Sequence, residues 1–139
     1  MTIVVDAGLV VSALVDSGPE GTWAEDLLTD RPLAAPHLMP VEAASILRRA
    51  ALAGAISDDT ASMAYTDLQA LRVELFPLAP FAGRIWDLRG NVTSYDAWYV
   101  ALAEHLDCPL ATLDTKLAAA PGPRCSFTTP GASAQPSGG

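Results

Sequence analysis

Five short apolar runs punctuate this chain, separated by stretches of helical length, and that alternation constrains the fold more than any other feature. Ile3-Val4-Val5 is wholly β-branched and stops at Asp6, which reads as a short strand over 3–6. Leu33-Ala34-Ala35 stops at Pro36, Val73 to Phe76 stops at Pro77, and Pro109 to Thr112 is followed by Asp114. Cys125 to Thr128, after the Pro121-Gly122-Pro123 turn, reads as a last edge strand. Between them, apolar residues at helical spacing predict helices over about 8–15, 20–28, 37–52, 57–72, 81–90 and 93–106. Ser57 and Thr93-Ser94 supply N-caps for two of these, and Gly18-Pro19, Gly54 and Gly90 supply breaks. Strands alternating with helices predict a three-layer α/β/α sandwich around a mostly parallel sheet of four to five strands, joined by right-handed crossovers.

The 139 residues suit one domain, expected over 1–129. From Pro130 onward every residue but Gln135 is Pro, Gly, Ala or Ser, a composition that cannot bury enough surface to offset ordering entropy, so a disordered tail is expected over 130–139. No internal repeat is present. Half of the residues are hydrophobic, which rules out global disorder. Sixteen acids against eight bases give a formal charge of −8, so attraction to a polyanion through overall charge is excluded and any nucleic-acid contact must be local or metal-mediated. No apolar run is long enough to span a bilayer, and Asp6 without a preceding Lys or Arg spoils a signal-peptide reading, so a soluble cytoplasmic protein is expected. Cys108 and Cys125 match no zinc spacing and read as two small hydrophobes.

In parallel α/β sheets, ligands bind beyond the carboxyl ends of the strands. That rule selects acids by position. Asp6 and Asp114 follow strands, while Glu42 and Asp96 lie in first helical turns on the strand-end side of the sheet. Singly, each has an ordinary reading as a turn starter or helix-dipole partner. Together they predict four carboxylates in one cleft, where each like-charged pair 4 Å apart costs about 4 kcal/mol at an effective dielectric of 20. A divalent cation relieves that cost. Oxygen donors without His or Cys suit magnesium or manganese and point to phosphodiester chemistry.

Four segments carry a resemblance: VVDAGLVVSAL with Asp6, APHLMPVEAASILRR with Glu42, TSYDAWYVALAE with Asp96, and PLATLDTKL with Asp114. In that order and at that spacing, residues 2 to 129 resemble the PIN-domain ribonucleases, and within them the VapC-type toxins of toxin–antitoxin pairs. The resemblance implies endoribonuclease activity on single-stranded RNA and a Mg2+ or Mn2+ site at the four acids. Asp6, Glu42 and Asp96 match the family's near-universal acids and Asp114 a more variable fourth; Thr112, with Thr93 or Ser94, matches supporting hydroxyls. It also implies a homodimer held inactive by a small antitoxin. One position departs from the family: Gly8 stands where Ser or Thr is common, and Ser12, four residues on, is the candidate for a compensating hydroxyl. In the expected mechanism, metal on Asp6, Asp96 and Asp114 binds the scissile phosphate and activates water, which Glu42 orients or deprotonates.

Arg48, Arg49, Arg84 and Arg89 are candidates for RNA phosphate contacts, with solvated helix faces as the ordinary alternative. Trp98 reads as core, Tyr99 as a possible base-stacking ring, and Trp23 as either core or part of a partner-binding patch; His37 and His105 read as structural. A different class of function competes: a receiver-like or haloacid-type domain in which Asp6 accepts phosphate, supported by Thr112 and Lys116 but lacking an acid after Phe76. A catalytically dead PIN-like binding module, suggested by Gly8, ranks third.

Overall fold

The computed structural model describes residues 1–131. All but the first two residues of the expected tail lie outside the described residues. Five strands, β1 (Ile3–Val5), β2 (Leu33–Pro36), β3 (Glu74–Phe76), β4 (Leu110–Ala111) and β5 (Phe127–Thr128), form one sheet in the order β3-β2-β1-β4-β5. Every neighbouring pair is parallel, with Val4 opposite both Ala34 and Leu110, and Leu110 opposite Phe127. Helices cover both sides of the sheet, as the alternation predicts. They are α1 (Ala7–Val15), α2 (Pro19–Thr29), α3 (Met39–Leu52), α4 (Asp58–Ala70), α5 (Ala82–Asp87), α6 (Ser94–Leu106) and α7 (Thr115–Ala119).

The core explains which runs became strands. Ile3, Val4, Val5, Ala34, Ala35, Leu110 and Ala111 are at most 1% exposed, so the central strands are apolar without alternation because both faces are covered. The edge strand β3 is more exposed and correspondingly mixed. α6 packs against β1, β2 and β4, and α1 packs against α2, α3 and α4. Where α2 crosses the end of α1, Gly21 is obligatory: a Cβ there would sit 1.8 Å from the Asp16 carbonyl oxygen.

Three elements differ from expectation for local reasons. α3 starts at Met39, not His37, because the His37 amide donates to the Phe76 carbonyl at 2.9 Å and so prolongs the β2–β3 pairing. The helix expected over 81–90 is a 3-10 turn, Ala79–Phe81, followed by the short α5. α7 was too short to show a period; Asp114 starts it by accepting from the amides of Lys116 at 2.9 Å and Leu117 at 3.1 Å.

Candidate active site

The strand order places β1 at the centre, with β2 on one side and β4 on the other, so the chain crosses over in opposite directions from it and leaves a crevice at its carboxyl end. Asp6 stands at that end. Its backbone is extended, its Oδ1 caps α1 by accepting from the Leu9 amide at 2.9 Å, and its Oδ2 accepts from the Thr112 hydroxyl. Thr112, fully buried past the end of β4, also accepts from the Asp114 amide at 3.0 Å. One hydroxyl therefore fixes two of the predicted acids relative to each other.

Glu42 arrives from the first turn of α3, whose start is compatible with Pro40 because a first-turn amide needs no helical partner. Its Oε1 accepts from the Tyr99 hydroxyl at 2.6 Å. Asp96 arrives from the first turn of α6, where its amide donates to the Thr93 Oγ1 cap at 3.2 Å. A cavity of about 480 Å³ opens between these elements, lined by Asp6, Glu42, Asp96 and Tyr99 together with the apolar and aromatic Leu38, Val41, Ile46 and Tyr95. Asp114 does not line it, yet its charge reaches both Asp6 and Asp96.

The electrostatics are those of an uncompensated acid cluster. Burial pushes the Asp6 carboxyl up to about 6 against the bonds from Thr112 and Leu9, with Asp96 and Asp114 adding in the same direction. Burial likewise raises Glu42, opposed by the Tyr99 bond and helped by Asp96, and raises Asp96, helped by Asp114. The Tyr99 phenol is raised by its burial and by Glu42, so it remains a donor at neutral pH.

Of the supporting residues predicted, Thr93 and Thr112 stand beside the acids, and Ser94 is exposed in the first turn of α6. Ser12 does not reach the cleft. It is 8% exposed and its hydroxyl donates to Asp16 Oδ2 at 3.3 Å, because the helix carries it away from Asp6 toward the far end of α1. Of the four arginines, only Arg49 lines the cleft. Arg84 is committed elsewhere, pairing through Nε with Glu104 Oε1 at 2.8 Å and through Nη2 with the Gly122 carbonyl at 2.9 Å. Arg89 lies 4.5 Å over the Trp86 ring, and Arg48 faces the groove between α3 and α4. Tyr95 and Ser45 were missed as cleft residues, and Tyr99, read as a stacking ring, holds Glu42 instead. The signal for them was spacing: Ser45 and Arg49 follow Glu42 by three and seven residues, and Tyr99 follows Asp96 by three.

An acid cleft at the carboxyl edge of a parallel sheet in this order defines a class of protein, and the chain belongs to the PIN domain family, whose pattern it matches over residues 3–123. Curated relatives of nearly the same length sharpen this. The chain is 46% identical over 125 residues to Ribonuclease VapC1 of Mycobacterium tuberculosis, covering 89% of this chain and 94% of that one. It is 37% identical over 126 residues to Ribonuclease VapC9 of the same organism, covering 91% and 96%. Among solved structures, PAE2754 from Pyrobaculum aerophilum superposes with a TM-score of 0.64 at 27% identity over 86% of this chain and 84% of that one. VapC20 of Mycobacterium tuberculosis, described as a sarcin-ricin loop cleaving toxin, shares the fold with a TM-score of 0.65 at 15% identity over 84% and 93%. The phosphoacceptor alternative falls on the family match, and its receiver-like form also on strand order, since receiver-like sheets run 2-1-3-4-5.

Among the described residues, no three or more His, Cys, Asp or Glu side chains are gathered closely enough to hold a metal ion by themselves. The donor set nevertheless fits a hard cation that keeps several of its waters: carboxylates alone, mutually repelling, open to solvent on one side. No helix is long and apolar enough to cross a membrane among those residues.

Proposed function

We propose that the chain is a metal-dependent endoribonuclease of the VapC type, the toxin of a toxin–antitoxin pair. The observation that carries the reading is Asp6, fixed at both oxygens on the floor of the cleft yet raised to about 6 by burial and by Asp96 and Asp114, a charge excess that a divalent cation relieves. Asp6 and Asp96, with Asp114, would hold Mg2+ or Mn2+, which supplies charge neutralisation at a phosphate and acidifies bound water.

The protein's own groups account for the rest. Glu42, with Oε1 taken by Tyr99, has Oε2 left to orient a water and take its proton as the water oxygen bonds the scissile phosphorus and the P–O bond to the leaving RNA oxygen breaks. Thr112 ties the Asp6 carboxylate to the Asp114 backbone as that charge develops. Arg49 supplies local positive charge for the RNA backbone on a −8 chain. The apolar wall of Leu38, Val41 and Ile46, with Tyr95 60% exposed beside Asp96, offers an unpaired base a stacking surface that a duplex could not use.

Relatives of this fold were solved as VapBC2 of Rickettsia felis and as FitAB, each with promoter or IR36 DNA. By analogy, a small antitoxin with a basic segment would occupy this acidic cleft, the active protein being a homodimer in the cytoplasm. The test is RNA cleavage by the purified chain with manganese and with chelator, alongside labelling by acetyl phosphate. Metal-dependent cleavage lost in Asp6→Asn, with no labelling, supports the reading; cleavage unaffected by chelator or by Asp6→Asn overturns it.

A further inference from the structure

At the opposite edge of the sheet from the acid cleft, the amino ends of β4 and β5 border a second cavity of about 620 Å³. Both cysteines of the chain line it, Cys108 buried and Cys125 half-buried, each a free thiol. Leu110 is opposite Phe127 in the parallel ladder, and the Leu110 amide donates to the Ser126 carbonyl at 3.0 Å. Cys108 and Cys125 each stand two residues ahead of this pair, just before β4 and β5 begin, and Cys108 is near enough to act electrostatically on the Cys125 thiol. Closing a disulfide between them requires the two Cα atoms to come within roughly 4.4–6.8 Å.

The segment carrying Cys125 is also pinned. Glu104 on α6 accepts from Arg84 Nη2 at 3.0 Å and from the Arg124 amide at 2.7 Å, while Arg84 donates to the Gly122 carbonyl at 2.9 Å. Residues 122–124 are thereby clipped to the helix whose C-terminal end leads into Cys108.

We propose that Cys108 and Cys125 are a modification site, closing a reversible intramolecular disulfide by exchange with a low-molecular-weight disulfide of the glutathione class. The more accessible Cys125 thiolate attacks one sulfur of the small disulfide, forming a mixed disulfide and releasing one small thiol. Cys108 thiolate then attacks the Cys125 sulfur and releases the second. The two protons lost by the protein thiols end on the two small thiols, and the small disulfide takes the two electrons. Burial raises both thiols, Cys125 to about 11, so thiolate is scarce and exchange is slow enough to answer a sustained shift in redox state. The ring that closes contains Thr112 and Asp114, so the bond reaches the segment that supports Asp6.

The test is prolonged incubation of the full reduced chain with oxidised glutathione, read by mass, thiol titration and thermal melting. The expected product is a monomeric chain about 2 Da lighter, with no titratable thiol and a Tm higher by about 5–10 °C, all reversed by dithiothreitol. Cys108→Ser and Cys125→Ser should each show neither the 2 Da loss nor the higher Tm. Stable glutathione adducts on the native chain, disulfide-linked dimers, no reaction, or a ring whose Tm is unchanged or lowered would each overturn the proposal.

Discussion

Tyr99 and Glu42 meet across the cleft, phenol to carboxylate at 2.6 Å, and thereby join α6 to α3 over the carboxyl end of the sheet. The bond favours the ionised form of Glu42 while burial and Asp96 oppose it. Tyr99→Phe keeps the ring in its buried place and removes only the donor. Under the proposed reading, kcat should fall about tenfold at neutral pH with KM nearly unchanged, a loss of the order of one hydrogen bond to a charged group. The acid limb of the pH profile should move to higher pH, because Glu42 loses the contact that lowers it. Unchanged kcat and pH profile would leave Tyr99 a packing residue.

Asp6 binds its proton more tightly in the folded chain, at about 6, than in the unfolded one, at 3.8. Between these values the native state holds more protons, so stability falls as pH rises through the window and stays lost above it. Without divalent metal, the chain should lose up to about 3 kcal/mol from this group between pH 4 and pH 7. Urea titrations at each pH measure this, and Asp6→Asn should flatten the slope. Adding manganese at pH 7 should raise the melting temperature of the native sequence more than that of the variant.

Gly8 lines the cleft and has room for a side chain, since an added Cβ would lie 3.9 Å from Asp6 Oδ1, an ordinary contact. Gly8→Ser should therefore be accepted, stabilising α1 by about 0.3–0.5 kcal/mol through helix propensity. If the hydroxyl supports the site, metal-dependent cleavage should rise severalfold. Matched cleavage and melting measurements separate the two effects.

Tyr95 and Arg49 face the same cavity with opposite means of holding RNA, one by ring surface and one by charge. Tyr95→Ala should raise KM by about ten to a hundredfold, the range expected for one lost base stack, while Tyr95→Phe should leave it unchanged. Arg49→Ala should weaken binding for every sequence alike and reduce the salt dependence by about one charge. Equal losses in the alanine and phenylalanine variants would mean that the hydroxyl, not the ring, is what Tyr95 contributes.

The sheet was legible because β1, β2 and β4 are buried on both faces and so are apolar without a break. Asp6 and Asp114 were legible because they follow such runs. What the linear chain concealed was partnership across distance. Thr112 meets Asp6 from over a hundred residues away, a pairing set by parallel register and not by spacing. Arg84 was misplaced for the same reason: it has the charge to suit a phosphate, but Glu104 and Gly122 stand where only folding reveals them. Ser12 failed because the turn between it and Gly8 carries its hydroxyl to Asp16.

β1 is synthesised more than a hundred residues before its sheet neighbour β4. A ribosome that has already produced Asp6, Glu42 and Asp96 holds a chain whose central strand still has one edge unpaired. Asp6 then lacks its Thr112 bond, Asp114 does not exist, and α6 lacks its packing against β4. This order of assembly delays a finished cleft until β4 and the Thr112–Asp114 segment have been made.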